Sequence, residues 1–334
     1  HAELVVRFQQ VSGPVMAKGV EDTACYRALR LLALNEVGGD PGAFGTSLSM
    51  WHSWCAQRQA TWPRSMTTLS THDTKRSEDV RARLLMLSED TAAWAELAST
   101  LTAQARGCGL DAHAAYFTAQ TLLGAWPIDG ERLARYLTKA TKEAKLATTW
   151  IDPDPEYDRM VVEAARALPD DAAVREALDG WCADPRRQQA DVVASVAAKA
   201  VQLMMPGVPD CYQGCERVDR SLADPDNRRP VDWSEAQAAL VRGDDLKQTT
   251  TAALLRLRRE RADWFGTDGT YAPLELGDDR FVAFTRADRI AVVATRRPWA
   301  TTRDAAPTPS PGPAWVPVVE APGVAVHQRR DPWP

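Results

Sequence analysis

Residues Ser65 to Asp79 read SMTTLSTHDTKRSED. The Thr-rich stretch Ser65 to Ser70 has the β-favouring composition of a short strand. His72 and Asp73 come just past its C-terminal end, followed at once by Thr74, Lys75 and Arg76. Ser77-Glu78-Asp79 then opens a helix, with a hydroxyl at the cap and carboxylates in the first turn, where the helix dipole favours them. An imidazole, a carboxylate, an ammonium and a guanidinium thus share the loop between a strand and a helix. That is the α/β arrangement in which chemistry sits at the C-terminal end of a strand.

Working outward, Val5 to Gln10 reads as a strand. From Glu21, apolar Ala24, Ala28, Leu31 and Leu32 recur at helical spacing until Gly38-Gly39. Leu48 to Thr61 predicts a helix that ends before Pro63. Residues 77 to 205 are nearly all helical in pattern. Glu131 to Ala147 carries Leu133, Tyr136, Leu137, Ala140 and Ala144 on one face, and Asp191 to Met205 carries Val192, Val193, Val196 and Ala200. A second short strand is expected at Asp210 to Gln213, and two helices follow, the later from Leu246 to Trp264. After Gly266 the pattern alternates, in RFVAFTR, RIAVVATRR, AWVPVVEA and GVAVHQ, which predicts a small antiparallel β domain interrupted by a Pro-rich loop. Only two stretches resemble strands that end in chemistry, and over a hundred residues separate them. Two strands cannot close a barrel, which takes eight.

Composition narrows the function classes. The chain has 334 residues, 45% apolar and 25% charged, an ordinary globular mix. Its net charge of −5 is spread without a basic block, so nucleic acid is not an expected partner. No apolar run is long enough to span a bilayer, and HAELVVRFQQ is no signal peptide. The six cysteines are scattered, with only Cys211 and Cys215 close, so they read as reduced thiols of a cytoplasmic protein. No Cys-x-x-Cys pair or His cluster suggests a metal. The chain starts at His1 without a recognisable start, as a chain lacking its upstream part would.

Four segments carry chemistry. A carboxylate and an imidazole at Asp73 and His72 can accept and donate hydrogen bonds to adjacent sugar hydroxyls, although the dipeptide alone also fits a surface turn. In PVMAKGVEDT (14–23), Lys18 precedes Gly19 at a loop tip, and Glu21 and Asp22 lead into a helix; a solvated helix start reads equally well. In PGVPDCYQGCE (206–216), two prolines around Gly207 fix a tight entry to a strand, and Tyr212, Gly214 and Glu216 follow. In DPDNRRPVDW (224–233), Asn227, Arg228 and Arg229 lie in a polar loop closed by Pro230.

Together these segments resemble the maltooligosyltrehalose synthases of the α-amylase family of glycoside hydrolases. The resemblance rests on GPVMAKGVEDTACYR, STHDTKRSEDVRARL, QTLLGAWP with the later KATKEAK, MPGVPDCYQGCE and SLADPDNRRPVDW, in that order between about residues 5 and 300. It implies the C-terminal part of a (β/α)8 barrel with a large helical insertion, plus a C-terminal antiparallel β domain. Residues 1–76 would be a barrel segment up to the seventh strand. Residues 77–190 would be the insertion, 191–264 the last barrel helix, eighth strand and closing helices, and 265–334 the β domain. Asp73 resembles the catalytic acid that grips the reacting sugar's hydroxyls, and His72 would bind the same sugar. Lys18 and Lys75 resemble the lysines that hold the reducing-end glucose. Glu216, Asn227 and Arg228 would line the pocket. The nucleophile and general acid of this retaining family would precede His1. Asp219, in an Arg-x-Asp pattern, and Glu21 do not replace them: one follows the eighth-strand motif and the other opens a helix.

The implied activity is that of a (1→4)-α-D-glucan 1-α-D-glucosylmutase. This isomerase turns the reducing-end α-1,4 bond of a maltooligosaccharide or glycogen-derived glucan into an α,α-1,1 bond. The chemistry requires no cofactor or metal. The product would pass to a maltooligosyltrehalose trehalohydrolase. A related α-glucan hydrolase, or a non-catalytic glucan-binding fragment, is the alternative reading.

Overall fold

The computed structural model describes residues 1–330. Contacts divide them into two compact units, each assembled from separated stretches. His1–Phe44, His72–Ala183 and Arg220–Arg228 form a helical unit; Gly45–Thr71, Asp184–Asp219 and 229–330 form a unit built on a sheet. Where sequence suggests four consecutive segments, the contacts group stretches far apart in the chain. Among the described residues no disulfide forms, and no helix is long and apolar enough to cross a membrane.

In the helical unit, the strand expected at Val5 to Gln10 is instead part of a helix, Ala2–Val15. Two adjacent β-branched valines suggested a strand, but Leu4, Phe8, Val11 and Val15 recur at helical spacing. Glu3 and Arg7 pair at 2.7 Å one turn apart. The helix widens to π geometry over Met16–Ala24, so Lys18 lies in a helical turn and not at a loop tip. α-Helical backbone stops at Arg27, short of Gly38-Gly39 where the sequence pattern ends, and only a 3-10 turn at Leu32–Leu34 follows. Asn35 explains the stop: its amide donates to the Cys25 carbonyl at 3.0 Å and also to Ala28, satisfying carbonyls at the helix end.

Six longer helices complete this unit: Glu78–Leu85, Thr91–Gly107, Ala112–Ala125, Gly130–Ala144, Pro155–Ala167 and Ala172–Ala183. Ser77, Asp111, Asp129 and Asp154 cap four of them by accepting a backbone N–H. Gly130–Ala144 buries all five apolar residues expected of it and ends three positions early. The core is largely Leu and Ala: Leu84, Leu101, Leu122, Leu123, Leu133 and Leu178 are fully buried. Each such leucine contributes about 1.5–3 kcal/mol by leaving water. A Cβ on Gly124 would sit 2.8 Å from Val80, so the missing side chain lets Ala112–Ala125 close on Glu78–Leu85, the helix that follows the His-Asp loop.

The sheet unit begins with the helix Leu48–Thr61, as predicted. Strand β1 is only Met66–Thr67, and β2 is Val208–Pro209, not Asp210 to Gln213. They pair in parallel, Met66 with Val208 and Thr67 with Pro209. Val208 N–H donates to the Ser65 carbonyl at 3.0 Å and Asp210 N–H to the Thr67 carbonyl at 2.8 Å, and side chains reinforce the same carbonyls. Arg58 donates to Ser65, Met66 and Pro206, and the Gln202 amide donates to Thr67 and Asp210. Gly207, at φ 127°, brings β2 in; a Cβ there would meet the Ser65 carbonyl at 2.8 Å.

The helices Pro185–Met204, Trp233–Arg242 and Leu246–Glu260 belong to this unit. Its five-stranded antiparallel sheet comprises β3 (Tyr271–Pro273), β4 (Phe281–Arg286), β5 (Ile290–Thr295), β6 (Trp315–Ala321) and β7 (Val324–Arg329), ordered β3-β4-β5-β7-β6. Alternation sorts the faces. Val282, Phe284, Val292 and Val326 pack with Val196, Ala200 and Leu254, while Phe281, Ala283 and Val293 face Leu274 and Leu276. β3 and β6 are the edges, and β6 carries Pro317 at an irregularity in its pairing.

Candidate functional site

The loop after Thr71 changes character within a few residues. His72 and Asp73 are exposed, whereas every residue from Thr74 to Val80 is buried. The exposed pair is therefore carried on a buried anchor. Glu36 supplies that anchor: its carboxylate accepts the Lys75 N–H at 2.7 Å and the Arg76 N–H at 3.1 Å. It also accepts Val37 N–H at 2.8 Å and lies 3.7 Å from Arg81. The Arg76 guanidinium is fully buried, donates to Leu32 and Asn35 carbonyls, and stacks 5.5 Å from the Phe117 ring centre. From the other side, Ser77 N–H donates to the Ser221 carbonyl at 2.9 Å, and the Asn227 amide donates to the His72 carbonyl at 2.9 Å.

The stretch that holds His72 is itself held. Arg132 grips Asp226 with two hydrogen bonds of 2.8 and 2.9 Å, a fork–fork geometry, and donates to the Arg220 carbonyl. Asn227 is consequently buried beneath the loop. Arg228 remains largely exposed and pairs with Asp224 at 2.5 Å.

Lys18 and Lys75 converge on Asp22. Lys75 Nζ lies 2.8 Å from one carboxylate oxygen with its side chain only 4% exposed, and Lys18 donates to the other oxygen from an exposed position. Burial pushes the Asp22 carboxyl up, but the two lysine hydrogen bonds outweigh it and hold the group below the ordinary aspartate value. The Asp22 hydrogen bond raises Lys18 above the ordinary lysine value, with a small further pull from Asp73. Six sequence-predicted residues, Lys18, His72, Asp73, Lys75, Asn227 and Arg228, therefore fall in the helical unit. Glu216 belongs to the sheet unit, in the turn that follows Gly214.

Sequence reading assigned no site role to Asp22 or Glu36. The i,i+4 spacing of Lys18 and Asp22 becomes a signal once Met16–Ala24 is known to be helical. Glu36 gives none, because its partners are about forty residues away.

No family profile matches the chain. A protein of Mycobacterium tuberculosis strain H37Rv, described as a candidate maltooligosyl trehalose synthase, is 43% identical over 305 residues. The chain is related to the maltooligosyltrehalose synthases. A solved maltooligosyltrehalose synthase from Arthrobacter ramosus is similar across 98% of this chain, at 35% identity and a TM-score of 0.84. Another solved maltooligosyl trehalose synthase has 25% identity and a TM-score of 0.86 over 99% of the chain. The chain spans 39% of the Mycobacterium synthase relative and 46% and 48% of these two synthases, matching their C-terminal part.

The Asp22 cluster has a pH signature. A carboxyl held low contributes stability that is complete above its unfolded value, about 3.9, and lost as pH falls through the lower folded value. Asp22→Asn therefore unfolds several degrees below the parent at pH 7, and the gap closes as both are taken toward pH 3. Melting curves at the two pH values check this; a gap that stays constant would mean the carboxylate's charge is not what the lysines need.

Proposed function

We infer that the chain forms the reducing-end side of a maltooligosyltrehalose-forming site. The observation that carries this reading is the convergence of Lys18 and Lys75 on Asp22, in the unit that also presents Asp73. In the resemblance, these two lysines hold the reducing-end glucose. The parallel pairing of β1 and β2 supports reading them as the seventh and eighth strands of a (β/α)8 barrel, with the intervening helices as an insertion. The four-segment domain organisation belongs to the same reading.

In the reaction, a carboxylate nucleophile and a general acid break the last α-1,4 bond of a maltooligosaccharide with retention. The resemblance places both groups ahead of the His-Asp motif, so turnover requires a polypeptide that carries them, and this chain by itself turns nothing over. Asp73 accepts hydrogen bonds from hydroxyls of the sugar that becomes positively charged, and His72 binds the same ring. The lysines keep the released glucose in place while its anomeric hydroxyl attacks the glycosyl-enzyme. Holding the acceptor next to the reacting carbon is worth several kcal/mol. Asn227 and Arg228, in the same unit as Asp73, add to the lining. The product is a substrate for a maltooligosyltrehalose trehalohydrolase, and the setting is the cytoplasm.

The test joins this chain to the preceding part of the Mycobacterium relative and supplies maltopentaose. The reading expects a non-reducing product in excess over free glucose. Lys75→Ala shifts the mixture toward glucose and shortened oligosaccharide, because a charged hydrogen bond of about 1.5–3 kcal/mol is lost. Hydrolysis alone in the parent would make the protein an α-glucan hydrolase; sugar binding without turnover would make it a binding fragment.

A further inference from the structure

The segment KATKEAK and the loop after it are not used by the reading above. The Gly130–Ala144 helix ends at Lys145, which takes the left-handed conformation at φ 54°. A tight loop follows, closed by the Thr149 hydroxyl, which accepts from Ile151 N–H at 3.2 Å and Asp152 N–H at 2.7 Å. Asp154 then caps the next helix. The loop displays Trp150, 57% exposed.

This indole is exposed but held. Its Nε1–H donates to the Glu143 carboxylate at 3.0 Å. The Lys142 ammonium lies 5.1 Å from the ring centre and is itself only 12% exposed, paired with Asp158 at 2.7 Å. One edge and one face of the ring are thus tied to the protein. An indole held this way offers its exposed surface in a fixed orientation.

The same turn reaches the lysine cluster. Lys145 Nζ donates to the Thr23 hydroxyl at 2.7 Å, and that hydroxyl donates to the Lys18 carbonyl at 2.6 Å. The Glu143 charge is felt at the Lys18 ammonium. Trp150 therefore stands on the turn whose Lys145 is joined through Thr23 to the backbone of Lys18.

We propose that Trp150, fixed by Glu143 and Lys142, is a stacking platform for a glucose ring of the α-glucan, forming one wall of the reducing-end subsite. The chemistry fits a pyranose. Its axial C–H bonds carry partial positive charge and meet the electron-rich face of an indole, as a cation does. Its hydroxyls at the ring edge find the Glu143 carboxylate. Leu146 and Ile151 are exposed nearby, 56% and 97%, and would suit an apolar protein face. The charged groups around the indole favour the sugar. The proposal rests on the glucan reading of the site.

The test uses the chain as it stands, with its twelve tryptophans replaced by 5-fluorotryptophan and the Trp150 fluorine resonance assigned with Trp150→Phe. Maltotriose is titrated in. The Trp150 resonance moves saturably, and Trp150→Ala weakens maltotriose binding about tenfold, or about 1.4 kcal/mol. Trp150→Phe, which keeps an aromatic face, loses about threefold or less. If other tryptophans respond to maltotriose and Trp150 does not, the platform is overturned while the glucan reading stands. If the sugar does not bind at all, both fall. A Trp150 resonance that moves with protein concentration and not with sugar would overturn the platform in favour of self-association.

Discussion

Asp73→Asn, in a polypeptide that joins this chain to the preceding part of its relative, lowers turnover of maltopentaose about a thousandfold while maltopentaose binding changes little. Hydrogen bonds from a carboxylate to the reacting sugar's hydroxyls strengthen as that sugar gains positive charge, and supply several kcal/mol of the barrier reduction. Each ~1.4 kcal/mol is a factor of ten. The amide keeps the shape and one acceptor but loses the charge. Because Asp73 is exposed and its loop is anchored from Thr74 onward, the substitution leaves the fold in place. Thermal unfolding of the variant checks that, and single-turnover kinetics separate bond cleavage from binding. Turnover within a few-fold of the parent would reduce Asp73 to a turn residue.

Glu36→Ala lowers the stability of the helical unit by about 3 kcal/mol. Glu36 is 7% exposed, and its removal leaves the Lys75 and Arg76 backbone N–H groups buried without their acceptor. An orphaned buried donor costs about 1–3 kcal/mol. For a unit of this size the melting temperature falls by about 10 °C. Activity of the joined protein falls with it even below the melting range, since the backbone that carries His72 and Asp73 is no longer fixed. Glu36→Gln retains one carbonyl acceptor, so it recovers about half of the lost stability. A melting temperature for Glu36→Ala within a degree of the parent would show that the 220–228 stretch alone holds the loop.

Much of the fold was legible from local patterns. The Gly130–Ala144 helix announces itself by its apolar face, the helix begun by Ser77 by its cap and acidic first turn, and the strands β4 to β7 by their β-favouring, alternating composition. The errors fell where periodicity competes with propensity, as at Val5 and Val6. They also fell where the backbone's partners are distant, as in β1 and β2, whose two-residue pairing depends on Arg58, Gln202 and Gly207.

The sequence by itself determined the motifs from which candidate site residues are read. His72, Asp73, Lys75 and Lys18 sit in short motifs whose side-chain types already suit a polyhydroxylated ligand, and the resemblance rests on those motifs. Only the tertiary structure decided which groups they meet. It brought Lys18 and Lys75 to the two oxygens of Asp22 across more than fifty residues, set Glu36 under the loop from about forty residues away, and turned Asn227 into a support for His72. It also left Trp150 exposed and tied to Glu143. The reason is physical. A hydrogen bond between distant residues leaves no periodic trace in the chain, because it depends on where packing brings two backbones and not on what stands next to either residue.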